Sequence, residues 1–89
     1  MNIQPGCLCR SLAGNDRNHY YIILADKGAY VVIADGRKLT AANPGRKNKK
    51  HIQAEKTPVV SGDSLTDEAM KSITALRLGG RTHVKSRRN

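Results

Sequence analysis

The sequence has no phenylalanine and no tryptophan, and its aromatic residues are three tyrosines. A core built without large aromatics must rest on Ile, Val, Leu and Ala. In a chain of 89 residues that core stays thin, because a small domain buries a modest share of its surface. The length suits one domain. Acidic residues are also few: 7 Asp and Glu stand against 16 Lys and Arg, a formal net charge of +9. The imbalance says nothing about fold, but it favours a polyanionic partner, nucleic acid before an anionic membrane surface. No apolar run approaches the roughly 18 residues that a spanning helix needs. Residues 1–5 lack the basic and apolar regions of a secretory signal, so a cytoplasmic protein without a membrane partner is expected.

Cysteine is scarce too. Cys7 and Cys9 lie one residue apart and would share one face of a strand. A disulfide between them would be strained, and a reducing cytosol would keep it open. A metal site would need further ligands from His19, His51 and His83, which does not make a zinc pattern. Buried thiols are the expectation, and no metal or other cofactor is called for. Catalytic signatures are missing as well: no G-x-x-x-x-G-K-[ST], no H-E-x-x-H, no G-x-S-x-G. Ser11, Ser61, Ser64, Ser72 and Ser86 have no recognisable context. A cysteine with His19 is a nucleophile and base in principle. A thin core offers little to preorganise such a pair, and the chain is read as not an enzyme.

The residues present divide the chain into zones. Residues 5–42 read as β. Short runs at 7–12, 19–24 and 29–34 are rich in aliphatic and β-branched residues. They are separated by turn composition at Ala13-Gly14-Asn15-Asp16-Arg17-Asn18 and at Asp26-Lys27-Gly28. Asp35-Gly36 predicts a tight hairpin with both turn residues at positive φ, and residues 37–40 its return strand. Asn43-Pro44-Gly45 then opens a basic loop over 43–51, and residues 52–60 give a last strand ending near Pro58. Short strands joined by tight turns predict a mainly β fold, a small barrel of about five strands. Residues 1–60 would form it. Residues 61–80 would add a linker and a helix, and 81–89 a disordered basic tail.

The helix start is well marked. Thr66 suits the N-cap, and Asp67 and Glu68 occupy the first turn, where the helix dipole favours acids. Leu65 and Met70 are spaced as a hydrophobic staple. Ala69, Ile73 and Leu76 share a face with Met70 beside them, and Gly79-Gly80 supplies the stop. The face would pack on the open side of the barrel; a partner or dimer surface is the other reading, and a monomer is expected.

Arg46-Lys47-Asn48-Lys49-Lys50-His51 places four fixed positive charges in six residues, with Glu55 the nearest acid. Such a run suits phosphate contacts, each of which releases counterions. Solubility is the bland alternative, and the net charge of the whole domain favours binding. The tyrosines admit two roles, core packing or stacking on unpaired bases. Tyr20 and Tyr21 are adjacent, so one is expected inside and one outside.

The stretch from Gly14 to Ile23 resembles a KOW motif, in which a G-x-D-K/R-G loop joins two strands of an SH3-like barrel. Residues 31–39 look like the following hairpin of bacterial proteins of the ribosomal protein L14e type. Pro44 and then Lys47-Asn48-Lys49-Lys50-His51-Ile52 resemble that subgroup's basic K-N-x-K-H signature. The glycine usual at the end of the KOW loop is Asn18 here, the next-best residue for a left-handed backbone. The resemblance covers roughly residues 5–57. It implies RNA binding, ribosomal RNA or the translation machinery first, by loops at one end of the barrel. The residues carried over are Arg17, Arg37, Lys38, Lys47, Lys49, Lys50 and His51, with Asp16 as a structural residue capping its own turn. Arg46 and Asn48 join them on chemistry. Arg and Lys would hold phosphates, while Asn48 and His51 would reach a base edge or a 2′-hydroxyl. His51 has a second reading, a half-buried histidine closing the last strand. Gly14, Asp16, Asn18, Asp35 and Gly36 would shape the turns. The alternative function is an SH3-like protein-interaction module acting on ribosome or transcription components; duplex DNA binding lacks a major-groove element.

Overall fold

The computed structural model describes residues 3–76. Five strands form one antiparallel sheet: β1 (Cys7–Ser11), β2 (Tyr20–Asp26), β3 (Tyr30–Ala34), β4 (Gly45–Asn48) and β5 (Ile52–Pro58). Their order is β4-β3-β2-β1-β5, so β4 and β5 are the edges and the sheet is not closed. A helix, α1, is described over residues 67–76. The mainly β expectation holds. The Gly79-Gly80 stop and the 81–89 tail lie outside the described residues.

Side-chain alternation assigns the core to both faces of the sheet. Cys7, Cys9, Tyr21, Ile23, Val31, Ile33 and Ile52 cluster on one face. Leu8, Ile22 and Ala34 meet Met70 of α1 on the other. Burial on both faces explains why β1 and β2 read as nearly continuous apolar runs rather than as polar–apolar alternation. Tyr21 is buried in the first cluster and Tyr20 is half-buried against the second, which places the adjacent pair on opposite faces. The register shifts once in β1 between Cys7 and Cys9 and once in β2 between Ile23 and Ala25. Such irregularities bend a strand and increase its twist.

α1 begins where its sequence dictates. Thr66 Oγ1 accepts the Ala69 N–H at 3.1 Å, and Leu65 packs beside fully buried Met70. The buried face differs from the expected one. Thr74 is buried, its hydroxyl donating to the Met70 carbonyl at 2.9 Å, while Leu76 is 70% exposed. Met70 and Ile73 of the expected face do pack on the sheet; buried Thr74 is added and Leu76 is left out. The expected linker contains a 3-10 turn, Gly62–Ser64.

Two other expectations are corrected. Asp35-Gly36 is not a two-residue hairpin. Gly36 has φ 79°, but Asp35 is not at positive φ. Instead the buried Asp35 carboxylate accepts the N–H groups of Arg37 at 2.9 Å and Leu39 at 3.2 Å, which holds residues 35–39 as a wider turn. Residues 37–40 are loop, and the return strand is β4. The basic run is therefore not a loop over 43–51: Gly45–Asn48 is β4, and Lys49–His51 is a 3-10 turn. Charged residues are tolerated there because β4 is an edge strand with one outward row of side chains. Among the described residues no helix is long and apolar enough to cross a membrane.

Candidate nucleic-acid interface

The loop between β1 and β2 is built around one carboxylate. Asp16 Oδ2 accepts the Tyr21 hydroxyl at 2.7 Å, Asp16 Oδ1 lies 2.9 Å from the buried Ser11 hydroxyl, and Lys47 Nζ reaches both oxygens at 2.8 and 3.1 Å. Burial pushes this carboxyl up, but the bonds from Lys47, Tyr21 and Ser11 outweigh it and hold it down at about 2. Burial, reinforced by Asp16, raises Tyr21. Asp16 is structural as expected, but its side chain joins β1, β2 and β4 rather than capping its own turn. The turn itself is closed by backbone bonds and by Asn18 at φ 71°, the one non-glycine residue at positive φ among the described residues.

Neighbouring loops are fastened to this one. His19 Nε2 lies 2.9 Å from Asp35 Oδ2, which ties it to the β3–β4 loop that carries Arg37 and Lys38. Burial raises the Asp35 carboxyl, but the Arg37 N–H, His19 and the Leu39 N–H together set it below its ordinary range. The Leu12 N–H donates to the His51 carbonyl at 2.8 Å, which ties the loop to the 3-10 turn.

The expected site residues divide accordingly. Arg17, Arg37, Lys38, Arg46, Lys50 and His51 are exposed. Arg17 Nε makes one long bond, 3.4 Å, to the Leu12 carbonyl. The side chains of Arg37, Lys38 and Lys50 have no acidic partner among the described residues. His51 is not the half-buried closing residue that was its second reading. Lys47 is committed to Asp16. Lys49 Nζ lies 2.6 Å from Asp26 Oδ1, at the β2–β3 turn. The Lys49 bond, with N–H groups from Gly28 and Ile3, holds the Asp26 carboxyl well below the usual carboxylate range. Asn48 is an N-cap: its Oδ1 accepts the Lys50 N–H at 2.9 Å. Lys47, Lys49 and Asn48 thus serve the fold, and the cations that point outward are the others.

Residue-type reasoning missed Arg10. Its guanidinium donates to Asn18 Oδ1 at 3.1 Å and Gln53 Oε1 at 2.7 Å, bracing the loop against β5. No local signal marked it: alternation puts Arg10 on the face of buried Leu8, and Asn18 and Gln53 are brought to it only by the fold. The cysteines are buried and free. Burial pushes the Cys9 thiol up to about 12 and raises Cys7 as well, so both stay protonated near neutral pH. Among the described residues no group of three His, Cys, Asp or Glu side chains gathers as metal ligands would. No protein-family model matches the chain, and a search among curated proteins also finds no match.

Proposed function

We propose that the chain is a non-catalytic RNA-binding protein of the KOW, SH3-like barrel type that grips the RNA backbone with the loops around Asp16. The observation that carries this reading is the exposure of Arg17, Arg37, Lys38, Lys50 and His51 on segments fastened to one another by the His19–Asp35 and Leu12–His51 bonds. Asp16 and Asp35, the acids that join those segments, are already engaged by Lys47 and His19. A rigid scaffold carrying unpaired cations suits phosphate contacts, which position an RNA without reading its sequence. The barrel reading is supported by the meander of four strands, the 3-10 turn between β4 and β5, and the pairing of β5 back onto β1. The Lys47–Asp16 bridge draws the β4 edge toward the β1–β2 loop, as the curl of such a barrel requires. The left-handed Asn18 supports the KOW resemblance at the position where that loop ordinarily has glycine. The partner favoured by the resemblance is ribosomal RNA.

The test compares wild type with a variant carrying Arg17→Ala, Arg37→Ala, Lys38→Ala and Lys50→Ala. Both are titrated with structured ribosomal RNA fragments and duplex DNA across a salt series. RNA binding is expected, with a salt slope that shrinks in the variant by roughly 0.7–0.9 for each phosphate no longer neutralised. Wild type that ignores RNA at low salt, or a variant that binds equally well, overturns the reading.

A further inference from the structure

We infer that Tyr30 and Arg46 form a stacking platform for an unpaired nucleobase on the outer face of β3 and β4. The inference rests on the RNA-binding reading and adds to it the form of RNA: single-stranded, with at least one base turned out. The Arg46 guanidinium carbon lies 5.3 Å from the centre of the Tyr30 ring, on the ring's face. Register explains the pairing. Tyr30 stands opposite Asn48 and Val32 opposite Arg46, while Val31 and Lys47 between them turn to the buried side. Tyr30 belongs to neither buried cluster, and Arg46 is exposed. α1 covers the Ala34 end of this face through Met70, and the Tyr30 end extends past it.

Packing alone does not account for the pair. Arg46 is exposed, has no acidic partner among the described residues and carries its guanidinium carbon over the ring, which leaves the side away from the ring for a ligand. A base laid on that side completes a ring–guanidinium–base stack, an arrangement proteins use for splayed-out RNA bases. The surroundings suit the strand that would carry the base. Lys27, whose N–H donates to the Tyr30 carbonyl at 2.9 Å, is exposed on one side. Lys50, next to Asn48 through the cap, is exposed on the other. The acid on this side, Asp26, is engaged by Lys49. A single strand crossing β4 would thus meet cations before and after the platform.

The experiment uses the full chain and three probes: an oligouridine of about 12 nucleotides, the same strand with abasic sites throughout, and an RNA duplex. Tyr30→Leu keeps an apolar strand residue but removes the ring. It is expected to weaken oligouridine binding by about 5- to 150-fold with an unchanged salt slope. The abasic strand and the duplex are expected to bind it as they bind wild type. Tyr30→Phe, which keeps the ring, is expected to bind like wild type, and Arg46→Lys, which keeps the charge but not the plane, to lose affinity for oligouridine alone. Unchanged oligouridine binding by Tyr30→Leu overturns the platform, as does an equal loss for all three probes. In either case wild-type RNA binding stands. Wild type that binds none of the probes overturns the RNA reading, and the platform with it.

Discussion

Three donors converge on Asp16, and the consequence is a dependence on pH. Its carboxyl sits at about 2 in the folded chain against an ordinary 3.8. A depressed pKa stabilises the fold wherever the unfolded carboxyl would also be ionised, above about pH 4. That stability is lost as pH falls through about 2. Asp26 and Asp35 are depressed in the same sense, so acid sensitivity is shared. Urea melts of wild type at pH 7 and near pH 2.5 are expected to differ by more than those of Asp16→Asn. An equal gap in the two proteins would remove Asp16 from its central role. Asn18 makes a sharper case, because its backbone conformation was legible in the sequence. At φ 71°, Asn18→Ala is expected to cost about 1–2 kcal/mol, since a Cβ-bearing residue without a local polar group resists the left-handed region. Asn18→Gly should stay within about 0.5 kcal/mol, the relaxed backbone offsetting the missing Arg10 bond. Thermal unfolding of the two variants decides this.

At the scale of elements, the joint between the β3–β4 loop and α1 leaves no room for a side chain at Gly36. A Cβ built on Gly36 would fall 2.2 Å from the Asp67 carbonyl oxygen and 2.8 Å from the Lys71 nitrogen, both backbone atoms. The Ala41 N–H is bonded to the Asp67 carboxylate at 2.8 Å in the same joint. Gly28 has a comparable φ of 95° but open space around it. Gly28→Ala should therefore cost about 1 kcal/mol, the strain of the left-handed backbone alone. Gly36→Ala should cost clearly more and loosen α1, seen as faster amide exchange at the helix start. Equal costs would mean that α1 does not press on the loop. The helix start was legible because a cap, two acids and a staple are local signals. Its exact face was not, because Thr74 could be buried only once its hydroxyl found the Met70 carbonyl. The return strand was misplaced for a related reason. Asp35-Gly36 has the composition of a tight hairpin, but buried Asp35 spends its carboxylate on two N–H groups and widens the turn.

For the whole molecule the question is which charges face outward. Lys47 and Lys50 look equivalent in a basic run, yet one is bonded into the fold and the other is exposed. Lys47→Met is expected to lower stability by about 1–3 kcal/mol, since it strips a donor from a half-buried carboxylate. Lys50→Ala should leave stability within about 0.5 kcal/mol and reduce the salt slope of RNA binding by roughly 0.7–0.9. Chemical denaturation and the salt series together separate the two. A Lys50→Ala variant that unfolds early, or a Lys47→Met variant as stable as wild type, would reverse the assignment.

Local chemistry along the chain is enough for the β class, the first three strands, the last strand, the capped start of α1, the left-handed Asn18 and the cationic character. Folding in three dimensions settled the rest. It made the basic run an edge strand and a 3-10 turn, because β3 offered Gly45–Asn48 a free edge to pair with. It turned Lys47 inward to Asp16, a partner 31 residues away, and Lys49 to Asp26. It also set Arg46 on Tyr30 across two strands. Electrostatic pairing acts through space, and a chain carries its charges in order without saying which ones the folded sheet will bring within reach of each other.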